Sequence, residues 1–144
     1  MLESLKGKRI LSVVAHPDDE LLGLGGTINR LAHEFDCECR ALILGEGLTS
    51  RADQRNPEEW AEELRTHKEN LAAATRAVGY ATHVSYSFPD NRFDTVALLD
   101  LVKTIEKEKS SFRPDVIFTH HGGDTNIDHR QTFDGVITAT RPMV

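Results

Sequence analysis

Four short strand-like runs recur along this chain, three of them apolar and one alternating, each separated from the next by a stretch with helical spacing, and this pattern leaves few architectures open. The runs are residues 9–15, 38–44, 82–88 and 115–119. Between the first two, residues 23–35 carry Leu24, Ile28, Leu31 and Ala32 at helical intervals, with Gly25-Gly26 near the start. Residues 57–78 read as a long helix, with Asn56 as N-cap, Pro57 in the first turn and Gly79 as terminator. Residues 96–107 put Leu98, Leu99, Val102 and Ile105 on one side, and 131–140 read as a last helix stopped by Arg141-Pro142. Strands alternating with amphipathic helices predict an α/β fold: a Rossmann-like, three-layer, doubly wound parallel sheet flanked by helices, with right-handed crossovers. Residues 45–56 are polar and punctuated, a loop long enough to serve as a lid or binding loop.

The chain of 144 residues fits one domain, 1–144, with no internal repeat or linker. Acidic residues (23) outnumber basic ones (17), for a formal charge of −6. That balance argues against nucleic acid or an anionic membrane surface as the main partner. No apolar run is long enough to span a bilayer, and the N-terminal segment lacks the apolar core of a signal peptide. The expected location is cytoplasmic. Cys37 and Cys39 are expected as reduced thiols in or beside a strand, since a C-x-C pair does not imply a disulfide.

Chemistry concentrates where two of the apolar runs end. The first runs straight into His16-Pro17-Asp18-Asp19-Glu20. The fourth leads into His120-His121-Gly122-Gly123-Asp124-Thr125-Asn126-Ile127-Asp128-His129. Open α/β sheets place ligands at the carboxyl ends of their strands. Carboxylates crowded at such a place need something to offset their charge, and a divalent metal does so. His16, Asp19 and His129 can supply three ligands of the kind that suit zinc, leaving one position open as in catalytic sites. Asp18 is then spare and can act as a base. The alternative is plainer: Asp18 and Asp19 cap the following helix and His16 packs.

Ala15-His16-Pro17-Asp18-Asp19-Glu20 resembles the AHPDDE signature of the PIG-L/LmbE-like deacetylases. Asp124, Asp128 and His129 are similar to the family's second motif, Arg65-x-x-x-Glu69 with Ala72, Ala73 and Gly79 to its central helix, and Pro89-Asp90-Asn91-Arg92 to the turn that follows. The segment from Gly123 to Arg130 most resembles members associated with surface-polysaccharide and sugar biosynthesis. The resemblance implies a zinc-dependent hydrolase that removes an acetyl group from an N-acetylated sugar. Zinc would sit on His16, Asp19 and His129, with Asp18 as general base. Iron(II) suits two histidines and an aspartate nearly as well.

Two departures from the family pattern shape the remaining expectations. Many members have a second histidine three residues before the last ligand, where this chain has Asn126. Asn126 is read as a hydrogen-bond donor to the oxyanion, with protonated Asp18 returning its proton to the amine; His120 and His121 are further candidates for the acid. Asp128 is expected to orient His129 or a nearby backbone group, and Asp124 to support the ligands from behind. Arg65 and Asp90 are weaker candidates for gripping substrate hydroxyls or a phosphate, Arg65 against the plain reading of an ion pair with Glu69. Trp60 and Tyr86 can stack on a sugar but more often belong to a core. His33, His67 and His83 are taken as structural or solvent-facing. The second departure is length, since family members continue beyond the last ligand. The fold is therefore read as shortened at its C-terminus, with self-association as one way to complete a substrate wall. Two other functions compete: a related zinc amidase acting on a different small amide, and a non-catalytic metal- or sugar-binding module. Incomplete glycine spacing and carboxylates where a pyrophosphate would lie argue against a dinucleotide enzyme.

Overall fold

The structure, a computed structural model, describes residues 2–142. Strands β1 (Arg9–Val14), β2 (Glu38–Gly45), β3 (Thr82–Phe88) and β4 (Val116–Phe118) form one sheet in the order β3-β2-β1-β4. All its pairings are parallel. Helices α1 (Asp19–Leu22), α2 (Gly25–Glu34), α3 (Ala61–Val78), α4 (Leu98–Phe112) and α5 (Ile127–Ala139) follow in turn. The predicted α/β architecture is therefore the observed one.

The central strands explain the layering. Along β1 the side chains alternate, so Ile10 and Val14 face one helical layer while Leu11, Val13 and Ala15 face the other. The first layer holds Ile28 and Leu31 of α2 with Leu71 of α3. The second holds Leu101 and Ile105 of α4 with Val136 and Ala139 of α5. Successive connections leave β1 on opposite sides, toward β2 and, after β3, back to β4. The strand order therefore switches between β1 and β4, where such sheets open a crevice at their carboxyl ends.

Several boundaries differ from expectation. The first predicted helical segment, 23–35, is α2, and a short helix that was not expected, α1, precedes it before the chain turns at Gly23-Leu24. Residues 57–60 form turns, with Glu59 N–H on the Asn56 carbonyl and Trp60 N–H on the Pro57 carbonyl, so α3 starts only at Ala61. Helix α4 runs on to Phe112 and stops at Arg113 in a left-handed conformation. Strand β4 is a short, half-buried edge rather than a fully buried strand, because it pairs only with β1. The 45–56 loop contains a 3-10 turn, Thr49–Arg51, tied down by Arg55 on the buried Glu46 carboxylate at 2.8 and 2.9 Å. Cys37 and Cys39 are buried free thiols. Tyr86 donates to Glu108 and stacks on Phe88, in the α4 layer. Among the described residues, no helix is long and apolar enough to cross a membrane.

Candidate metal centre

Strand β1 ends at Val14, and the chain then makes a strained turn. Asp18 has φ 126°, a conformation that L-residues avoid. The strain is held by Glu20, which is fully buried and takes the Asp18 N–H on Oε2 at 2.9 Å. Asp19 takes the His16 N–H on Oδ2 at 2.8 Å. Asp18 itself stands at the N-cap of α1 yet makes no side-chain capping bond. Its carboxylate is thus uncommitted, contrary to the capping alternative. Burial, and then the Asp19 charge, push its pKa upward.

The second cluster arrives from β4 and the start of α5. His129 Nε2 lies 3.4 Å from Asp19 Oδ2, and His16 Nδ1 lies 3.5 Å from the same oxygen. His16, Asp19 and His129 form a group whose ligand atoms lie within 4.8 Å of one another. Each histidine is gripped from behind by a carboxylate. His129 Nδ1 donates to Asp124 Oδ2 at 3.0 Å, and His16 Nε2 donates to Asp128 Oδ2 at 2.8 Å. Such a partner fixes the tautomer and leaves the opposite nitrogen facing inward as a ligand. The donor set thus fits a divalent cation that accepts imidazole and carboxylate ligands.

Asp128 is fully buried and also takes the backbone N–H groups of Asn91 (2.7 Å) and Phe93 (2.9 Å). Of the two expected partners it thus holds nearby backbone groups, while the ring it orients is His16, His129 being held by Asp124. Helix α5 begins at Ile127, which turns Asp128 inward beneath the β1 turn while His129 faces the group from above.

Burial alone would disfavour a charged His16, but the hydrogen bonds to Asp128 and Asp19 outweigh it and hold the ring at about 10. Burial likewise opposes ionisation of Asp19, yet the hydrogen bonds from His16 leave its pKa lowered. The Asn126 N–H, and then His129, pull Asp124 down to about 2.

The remaining expected residues divide. His120 stacks on His129 with ring centres 3.9 Å apart, and its Nε2 accepts the Ala15 N–H at 2.9 Å. Burial pushes it down to about 4, so at neutral pH it is an unprotonated ring with its facing nitrogen occupied, which disfavours it as an acid. His121 is exposed and accepts the Gly123 N–H; it is outside the cluster. Arg65 is also outside, on the open face of α3, with Glu62 at 4.0 Å as its acidic neighbour. Asn126 is the N-cap of α5: its Oδ1 accepts from Asp128 N and His129 N, and its Nδ2 donates to Asn91 Oδ1 at 3.1 Å. Asp90 is buried at the site, 3.3 Å from His16 Nε2, and accepts the Ser50 N–H.

A cavity of about 230 Å³ opens over this group, lined by His16, Asp18, Ser50, Arg51, His67 and Asp90 among others. The 45–56 loop lines it, as its reading as a binding loop expected, though Arg51 within it was not singled out, and His67 was not expected there. The loop bearing Arg51 carries no motif, and His67 sits mid-helix among ordinary helix formers. The usable signal was the face shared by His67, Asn70, Leu71 and Ala74, which α3 presents toward α1.

A family model described as PIG-L, GlcNAc-PI de-N-acetylase, matches residues 11–140. No curated protein matches the chain in sequence. Among solved structures, N,N'-diacetylchitobiose deacetylase from Pyrococcus horikoshii is 20% identical with a TM-score of 0.76, over 92% of this chain and 49% of that one. The hydratase GalB from Pseudomonas putida KT2440, which acts on 4-carboxy-2-hydroxymuconate, is 20% identical with a TM-score of 0.74, over 92% and 55%. The zinc-inhibited form of teicoplanin deacetylase Orf2 is 17% identical with a TM-score of 0.74, over 92% and 63%. At such identities what is shared is the fold, and this chain spans between about half and two thirds of the length of those chains.

Proposed function

Because the chain belongs to the PIG-L family of de-N-acetylases, we propose that it is a metal-dependent hydrolase that removes the acetyl group from an N-acetylated sugar or sugar conjugate. One observation carries this reading. Three inward-facing donors, on His16, Asp19 and His129, converge beside an Asp18 carboxylate that has no other task. A binding module would have no use for that spare carboxylate.

Zinc or iron(II) would be held by His16 Nδ1, Asp19 Oδ2 and His129 Nε2, with Asp128 and Asp124 keeping both rings in their ligating tautomer. When bound, such an ion supplies a Lewis acid that polarises an amide carbonyl and acidifies water. Asp18 takes the proton of the attacking water. Its raised pKa suits it to keep that proton until the amine departs, and then to deliver it. Asn126 uses one amide hydrogen on Asn91 and retains a second for the developing oxyanion. Asp90 and the polar wall formed with Ser50 and Arg51 would receive sugar hydroxyls. The substrate is a small molecule, in keeping with an acidic chain that has no basic tract.

The test is metal content and amine release from N-acetylsugars, measured together on wild type, His129→Ala and Asp18→Asn. Wild type should hold on the order of one metal per chain and release amine. His129→Ala should lose both, and Asp18→Asn should keep the metal while losing turnover. Zinc is added in small steps, since a solved neighbour is described as zinc-inhibited. Metal without turnover in the wild type would favour the binding module instead.

A further inference from the structure

We infer that the metal-site cavity continues into an apolar compartment that takes the acyl chain of the substrate, so that amides longer than the acetamide are also hydrolysed. This rests on the deacetylase reading and concerns the same site.

A second concavity, of about 240 Å³, lies between the β1 turn and α3. Pro17, Leu21, Leu71 and Ala74 give it a mostly aliphatic wall. It shares Pro17, Asp18 and His67 with the cavity over the metal ligands, so the two spaces adjoin at the proposed base. Their linings differ in kind. The metal-side cavity offers Ser50, Arg51 and Asp90, groups able to answer hydroxyls. The second has, beyond the shared Asp18 and His67, the polar side chains of Asn70 and Glu20, and Glu20 is committed through Oε2 to the Asp18 N–H.

An amide attacked beside Asp18 has two ends. The sugar end is matched by the polar cavity. The acyl end is apolar and is matched by the aliphatic wall, where burial of each further methylene is favourable. A single acetyl methyl fills little of about 240 Å³. Ala74 narrows the compartment least, because its side chain ends at Cβ on the α3 face that lines it.

The test uses the metal-loaded full chain on N-acetyl-, N-butyryl- and N-hexanoylglucosamine, with kcat/KM read from amine release. The butyryl and hexanoyl compounds should be hydrolysed within about tenfold of the acetyl compound or better. Ala74→Leu should lower the hexanoyl-to-acetyl ratio by about tenfold or more. A steep fall with chain length in the wild type overturns the inference whether or not the variant folds. An equal loss on all three substrates in a folded Ala74→Leu also overturns it. Release from the acetyl compound alone removes this inference and leaves the deacetylase reading standing; release from none of them removes both.

Discussion

Asp128 accepts three hydrogen bonds, from His16 Nε2 and from the backbone of Asn91 and Phe93, and it does so with no exposed surface. Its charge is held in place by the same bonds that fix the His16 ring. Asp128→Asn should therefore weaken metal binding by about 10- to 100-fold while the ligand count stays the same, measured by competition against a chromophoric chelator. Unchanged affinity would deny Asp128 its part in orienting His16. The His16 proton gives a second prediction. Its folded pKa of about 10 lies above the ordinary 6.5, so the metal-free fold keeps a proton that the unfolded chain gives up. That stabilisation is complete below pH 6.5 and is lost as pH rises toward 10. His120, pushed down to about 4, acts in the opposite direction: stability is lost as pH falls from 6.5 to 4. A metal on His16 Nδ1 displaces the proton, so the alkaline loss should vanish in the loaded protein. Thermal midpoints from pH 4 to 10, with chelator and with zinc, check both limbs. An alkaline limb that is equally flat without metal would show that His16 carries no such proton.

Helix α5 shows why an element must be located before its residues can be assigned. The sequence reading starts it at Gln131, since the apolar periodicity only becomes regular there. Structurally it starts at Ile127, because Asn126 caps the N–H groups of Asp128 and His129. Four residues of shift decide which of Asp128 and His129 faces which partner, so the backbone partners of Asp128 were among those expected while its hold on His16 was not. Strands β1 and β2 were legible because buried parallel strands are apolar throughout, β3 because its residues alternate, and the AHPDDE motif because a strand ending in carboxylates is unusual. The place of His67 was not legible, since it depends on α3 packing against α1, a contact that local spacing does not encode. Asn126 has one observed role, the α5 cap, and one proposed role, the oxyanion donor, and substitution can separate them. Asn126→Ala removes the cap and should cost about 1 kcal/mol of stability. Asn126→Asp keeps a capping oxygen but loses the amide donor, so it should hold the thermal midpoint while turnover drops by about 100-fold. Equal activity in Asn126→Asp and wild type would reduce Asn126 to a cap.

At the scale of the whole molecule, the fold by itself does not choose a reaction. Solved chains with the same architecture are described as deacetylases and as a hydratase. What points to a reaction in this chain is where its charges converge. The carboxylates of Asp18, Asp19, Asp90, Asp124 and Asp128 meet at the carboxyl ends of β1 and β4, in a protein that already carries a net charge of −6. A divalent cation held as proposed would offset that density only in the folded state, since His16 and Asp19 lie more than a hundred residues from His129 in sequence. Binding energy is therefore folding energy. Free zinc at 100 times its dissociation constant should stabilise the fold by about 2.7 kcal/mol, which for a domain of this size raises the thermal midpoint by roughly 8–13 °C. The rise should follow zinc concentration logarithmically and reverse with chelator. His129→Ala should flatten it, while Arg65→Ala, on the open face of α3, should leave it intact. A zinc-induced rise that survives in His129→Ala would mean the ion binds elsewhere, and the convergence of the two strand ends would then need a different explanation.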